Sequence, residues 1–188
     1  RLLLEAGLGG LHGPVAQLAE VEERFRLALE VAAGGRLAQV VVDDDRIASQ
    51  AIELLKSRRA GRLTFLPLNK IRGSGGAGGG GSAALERGGG GGRSGAGGLV
   101  GRAVELLRFE PVYTEVFRHV FGDTLVFEDL ASARRELGRC RAVTLEGELL
   151  ERSGAMTGGS LQQRSGQLSF GRAGEQDEAE PHRQRLLE

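Results

Sequence analysis

The chain has 188 residues, and its 25 basic and 25 acidic side chains balance to zero net charge. That length suits one large domain or two small ones, and the balance excludes a bulk polyanion binder, so any nucleic-acid contact must be a local patch. The single cysteine, Cys140, excludes an intrachain disulfide and a CxxC metal site and fits a reducing compartment.

No apolar run is long enough to span a membrane. The opening "RLLLEAGLGG" is too short in its apolar run for a signal peptide, and a chain that starts at Arg1 reads as a piece of a longer protein. "HGPVAQLAEV" (12–21) reads as a short strand after a Gly-Pro turn. Val21, Phe25, Ala28, Leu29 and Ala32 then fall on one helical face, with Glu20, Glu22 and Glu23 at its start and Gly34-Gly35 as its stop. "LAQVVVDDD" (37–45) is a buried strand running into a helix N-terminus, where acids satisfy free N–H groups. Ile47, Ala51, Ile52 and Leu55 mark a second amphipathic helix over 46–59. "RLTFLPL" (62–68) is a strand whose Pro67 suits a sheet edge. Residues 12–72 thus alternate β-α-β-α-β, the pattern of helices packed on a sheet.

Positions 73–98 hold 15 glycines in 26 residues. Such a stretch buries too little apolar surface to offset its chain entropy, and it reads as a flexible bridge. Order resumes at Leu99. "AVELLRF" (103–109) is expected to be a strand. After Pro111 a helix carries two apolar rows, Val112/Val116/Val120 and Tyr113/Phe117/Phe121. "DTLVFED" (123–129) is a strand, "LASARRELG" (130–138) a helix, and "RAVTLEGELLER" (141–152) a strand with a turn or bulge at Gly147. Residues 161–188 are polar and read as the start of an exposed helical arm.

Catalytic readings are weak. Gly73-x-Gly75-x-x-Gly78 matches the dinucleotide fingerprint only formally, because more glycine follows where a helix is required. Neither Lys56 nor Lys70 follows a glycine, so no P-loop exists. His12, His119 and His182 lack metal-ligand spacing, and Cys140 reads as a packing residue. No catalytic or metal site is expected.

Four stretches carry a resemblance. "HGPVAQLAEVEERFRLALEVAAGGRLAQVVVDD" with "AIELLKSRRAGRLTFLPLNKIR" resembles the first subdomain of the hinge of bacterial SMC (structural maintenance of chromosomes) proteins. "FEPVYTEVFRHVFGDTLVFEDLASARRE" with "AVTLEGELLERSGAMTGGS" is similar to the second. The likeness covers about residues 8–160. It implies a mixed α/β hinge: arm end 1–7, subdomain I 8–72, bridge 73–98, subdomain II 99–160 and returning coiled-coil arm 161–188. The glycine density of the bridge departs from the family and reads as an insertion.

The resemblance further implies homodimerisation of two such chains into a V or ring, with subdomain one of one chain on subdomain two of the other. Gly34, Gly35, Gly154, Gly158 and Gly159 match the family's hinge glycines and are the expected interface residues. Hinges of this family contact DNA without sequence preference. Lys56, Arg58, Arg59, Arg62, Lys70 and Arg72, in a stretch free of acids, are the expected DNA-binding residues, and Arg102 and Arg164 are possible extensions of that patch. ATP, Mg and kleisin-type partners belong to the parent's distant heads, so this fragment is expected to need no cofactor, to be no enzyme and to sit with the nucleoid in the cytoplasm. The competing readings are a DNA-binding α/β module that dimerises weakly, and an α/β enzyme with an unrecognised site.

Overall fold

The computed structural model describes Leu3 and residues 7–73, 98–159 and 169–170. Each half opens with a strand that bends at a glycine. β1 (Leu11–Pro14) shifts register between Leu11 and Gly13, and β5 (Leu99–Arg102) shifts between Leu99 and Gly101. A 3-10 turn follows each, then β2 (Ala19–Val21) or β6 (Leu107–Phe109). Next come the main helices, α1 (Glu23–Ala33) in the first half and α3 (Thr114–Phe121) in the second. Each is capped by a glycine in the left-handed region, Gly34 at φ 56° and Gly122 at φ 57°, where a Cβ would be strained. The first half continues through β3 (Val40–Val42), α2 (Asp45–Arg58) and β4 (Phe65–Pro67). Its counterpart runs through β7 (Leu125–Phe127), α4 (Leu130–Arg134) and β8 (Ala142–Thr144).

The halves are copies of one plan. In each, the first strand runs antiparallel to the third, and the third runs parallel to the fourth across a helix. The Gly13/Gly101 bend and the Gly34/Gly122 cap both recur 88 positions apart. Backbone bonds repeat too: Val15 N–H donates to Gln39 at 2.9 Å, and Ala103 N–H to Thr124 at 2.9 Å. β2 pairs antiparallel with β6, with Glu20 opposite Arg108. Those two residues are themselves counterparts, so the pseudo-twofold axis passes through that pair.

The main core straddles the axis, with smaller clusters around Leu150 and Leu55 to either side. Ala28, Leu29, Ala32 and Ala33 of α1 cluster with Val116, Phe117, Val120 and Phe121 of α3, joined by Val41, Leu66, Val126 and Val143 from the sheets. α1 carries alanine where α3 carries valine or phenylalanine at three of these four matched positions. Small side chains on one helix therefore make room for large ones on the other, which keeps the packing dense. Phe117 stacks against Phe109 and Phe121, with ring centroids 4.5 and 6.5 Å away.

Several predicted elements change on inspection. The strand expected over 12–21 is two strands, because Val15–Gln17 turn as a 3-10 segment. The strand expected over 103–109 begins with a 3-10 turn at Ala103–Leu106, and the preceding strand β5 was not anticipated. The helix expected over 130–138 is α-helical only to Arg134. The strand expected over 141–152 folds into a hairpin of β8 and β9 (Leu149–Leu150), and a further strand, β10 (Met156–Thr157), follows. Val112, predicted on the buried face, is 54% exposed because it lies in the 3-10 turn before α3. The acids at 43–45 behave as expected: Asp44 caps α2, accepting from Ile47 N–H at 2.9 Å.

Of the bridge, only Gly73 and Gly98 fall among the described residues. Gly73 N–H donates to Glu115 on α3 at 2.8 Å, and this bond holds the Glu115 carboxyl below its usual range. The first lobe's exit is thus tied to the second lobe's helix. The structure generates two expectations. Cleavage at a protease site inserted between 74 and 97 should leave the halves co-eluting on gel filtration, since the core and the β2–β6 ribbon hold them. Halves that separate would show that the bridge carries the association. Asp44→Ala should lower unfolding stability by about 1 kcal/mol, the usual cost of a lost N-cap, measured by urea denaturation.

Candidate interaction surfaces

Each sheet ends in two edge strands, β1 and β4 in the first and β10 and β5 in the second. The first sheet runs β1-β3-β4 and the second β10-β9-β8-β7-β5. β4 and β8 occupy equivalent places, yet β8 is followed outward by β9 and β10, whereas β4 has no described strand beyond it. An edge strand presents unpaired N–H and C=O groups at strand spacing, so β4 and β10 are templates for a further strand. Apolar side chains stand beside both. Leu63, in the segment leading into β4, is 43% exposed, and Met156 of β10 is 46% exposed. Pro67 sits in β4, the edge position its missing N–H predicts.

The glycines expected at the interface fall on two elements. Gly34 and Gly35 end α1. Gly154, Gly158 and Gly159 lie in the exposed segment around β10. Gly34, Gly154 and Gly159 have positive φ, which explains their identity within one chain. Gly35 has neither a positive φ nor an atom within 4 Å of a built Cβ. At Gly158 a Cβ would come within 3.1 Å of Glu148. Among the described residues nothing requires glycine at 35.

The six expected DNA contacts do not form one patch. Lys56, Arg58, Arg59 and Arg62 lie at or just after the C-terminus of α2, all exposed. Lys70 and Arg72 follow β4, whose far end returns to the start of α2, where Asn69 bonds Asp45 at 2.8 Å. At 1.5 Å rise per residue the two groups stand about 16 Å apart along the helix. Acids also reach them. Glu53 pairs with Lys56 at 3.4 Å, Lys70 helps hold the Asp45 carboxyl low behind the Asn69 hydrogen bond, and Arg72 acts likewise on Glu115. The four-residue group is the denser one. Within it Arg59 has φ 48°, the left-handed region among the described residues otherwise reserved for glycine. Its N–H closes α2 by donating to Leu55 and Lys56. Arg102 stays with β5 in the other lobe, and Arg164 lies outside the described residues.

One cluster escaped the sequence reading. His12 on β1 bonds Asp43 at 2.5 Å through Nε2 and Tyr113 at 2.8 Å through Nδ1. Asp43 can only accept, so Nε2 carries a hydrogen, and in a neutral ring the tyrosine hydroxyl donates to Nδ1. Burial, with Glu110 and Asp43 nearby, raises the Tyr113 hydroxyl above its ordinary pKa. The cluster ties the first lobe to the second. Its members are 31 and 101 positions from His12, and no local pattern announces that. His119 is half-buried on α3, and burial lowers its pKa, helped by the Arg36 charge. Burial raises the Cys140 thiol instead, so no thiolate is favoured there. No described helix is long and apolar enough to cross a membrane.

Comparison with known proteins agrees on the family. Residues 8–137 match the SMC proteins flexible hinge domain. The chromosome partition protein Smc of Synechococcus sp. is 54% identical over 99% of this chain, which covers 15% of that protein. The same-named protein of Pyrococcus furiosus is 38% identical over 86% of the chain, covering 12% of its length. The chain therefore spans only about a seventh of the length of these curated relatives. Among solved structures, an asymmetric dimer of the Geobacillus stearothermophilus SMC hinge domain matches with TM-score 0.71 and 35% identity, over 82% of this chain and 61% of that one. The Pyrococcus furiosus SMC hinge domain matches with TM-score 0.66 and 36% identity, over 88% of this chain and 85% of the other. The fold built from two copies of one plan, and these matches along nearly its whole length, make this chain a member of the SMC hinge domain family.

Proposed function

We propose that this hinge joins two copies of its parent, a chromosome partition ATPase, by pairing the β4 edge of one copy with the β10 edge of the other. The observation that carries this is the broken symmetry of the lobes. The second lobe ends in an extra hairpin that the first lacks among the described residues, so β4 and β10 are the unlike edges at matching ends of the two sheets. A twofold pair of copies fills the β4 and β10 edges of both chains at once and closes on itself. Gly35, which nothing among the described residues requires, fits a close approach by another backbone. The solved hinge of Geobacillus stearothermophilus is itself a dimer, which supports the reading. ATP and Mg act at the parent's heads, where kleisin-type partners bind, and the work is done at the nucleoid.

Light scattering after gel filtration tests the dimer. The native chain should run as a dimer at micromolar concentration; a monomer there would sink the reading. Leu63→Glu and Met156→Glu change exposed side chains, so each variant should stay folded. Each places a charge at both copies of the interface. At about 2 kcal/mol per site the dimer should weaken roughly a thousandfold.

A second role rests on the α2 end. Lys56, Arg58, Arg59 and Arg62 form a surface for phosphates of any sequence. Four contacts at roughly −0.9 each give a salt slope near −3.6 in log affinity against log salt. Arg59 provides the sharper test. A side chain in the left-handed region costs on the order of 1 kcal/mol, which glycine would relieve. Arg59→Gly should therefore raise stability by roughly that amount while making the salt slope shallower by about 0.9. Unchanged binding to double-stranded DNA in a stabilised variant would remove Arg59 from the contact.

A further inference from the structure

We propose that α1 is a docking seat that takes the Ser169–Phe170 segment of the same chain, so that the first lobe fixes where the chain leaves the second. Phe170 is 2% exposed and belongs to the shared core together with Phe25 and Leu29 of α1. Its backbone is held by side chains rather than by a sheet or helix. Glu30 accepts from Phe170 N–H at 3.1 Å and from the Ser169 hydroxyl, and Arg26 Nη1 donates to the Phe170 carbonyl. Arg26 is in turn braced by Glu23, whose carboxylate accepts from its Nε at 2.9 Å.

The arrangement has the parts of a recognition site. A buried backbone N–H and C=O outside regular structure each need a partner. Glu30 and Arg26 stand one turn apart on α1, so one offers an acceptor and the other a donor to the same residue. The phenyl ring supplies the apolar anchor between them. The ten positions from Gly159 to Ser169 extend to roughly 33 Å, ample to reach α1 within one chain. The first lobe shows the converse arrangement, because its exit at Gly73 is held by Glu115 on α3. Each main helix therefore receives the exit of the other lobe. A pull on the chain beyond Phe170 meets the shared core before it meets β10.

The test uses the full chain in a Cys140→Ser background, with Glu22→Cys, an exposed position outside the seat, and Ser169→Cys, whose thiol can still donate to Glu30, joined by a bis-maleimide. The expected product is an intrachain cross-link, seen as a fast-migrating single-chain band and lost when Phe170→Ala is added. A two-chain product would overturn the proposal, because the seat would then hold another copy's segment. Cross-linking that is indifferent to Phe170 would overturn it as well. Hydrogen exchange supplies the second measurement. Phe170→Ala should speed exchange in α1 by tenfold or more while α3 changes little, as expected for local rather than global opening. Equal acceleration in both helices would make Phe170 mere core filling and end the proposal. Should Phe170→Ala fail to fold, Glu30→Ala, at a half-buried position, carries the same comparison.

Discussion

The packing of α1 against α3 is the constraint on which the rest depends. Neither half can bury its main helix alone. Each sheet is small, and α1 lies against β8 of the other lobe's sheet as well as against α3. The two helices solve this by meeting across the pseudo-twofold axis, where alanines face valines and phenylalanines. The β2–β6 ribbon crosses the same axis and fixes the register of the meeting through the Glu20–Arg108 pair. Once that contact forms, the other links between the lobes become geometrically available. His12 reaches Tyr113, Arg36 reaches the Val120 carbonyl at 2.8 Å, and Glu115 reaches Gly73. Two lobes joined only by a glycine bridge would move independently. Two lobes sharing a core do not, so the bridge is left with little to hold.

How much of this the sequence disclosed follows from the range of each interaction. The main helices were legible because their apolar faces repeat every three to four residues and stop at Gly34 and Gly122. The Asp44 cap and the edge position of Pro67 were legible because each depends on neighbours in sequence. The short strands were harder. β5, β9 and β10 have two to four residues each, too few to display alternation, and they exist because a partner strand is already in place. The 3-10 turn at Ala103–Leu106 resembles a strand in composition, and only the sharp step from β5 to β6 makes it turn. The internal duplication was hidden because the copies share geometry rather than residues. Ala32 answers to Val120, and Glu20 to Arg108.

The candidate surfaces divide the same way. The basic stretch 56–72 was visible as composition, but whether its charges share a face depends on the path of α2 and β4. A parallel β-α-β unit sends the chain up a helix and back along a strand, so cations close in sequence end at opposite ends of the helix. The glycines near β10 were visible, whereas their open surroundings were not. The His12 cluster left no trace, since its partners meet only after the lobes dock.

Symmetry and its violation together explain how such a small fold can join chains. A perfectly duplicated monomer would satisfy both lobes equally and offer two identical edges. Like edges can pair in more than one way, and nothing in them would select one register. This chain departs from its own repeat by adding β9 and β10 after β8. The addition turns two equal edges into unlike ones, a bare β4 and a hairpin-backed β10. Unlike edges can pair across a twofold axis in one arrangement. The left-handed Arg59 is a second departure, at the other end of β4's approach, where stability favours glycine and the chain places a cation. Both departures lie outside the α1–α3 core. These surfaces can therefore change without disturbing the contact that folds the chain.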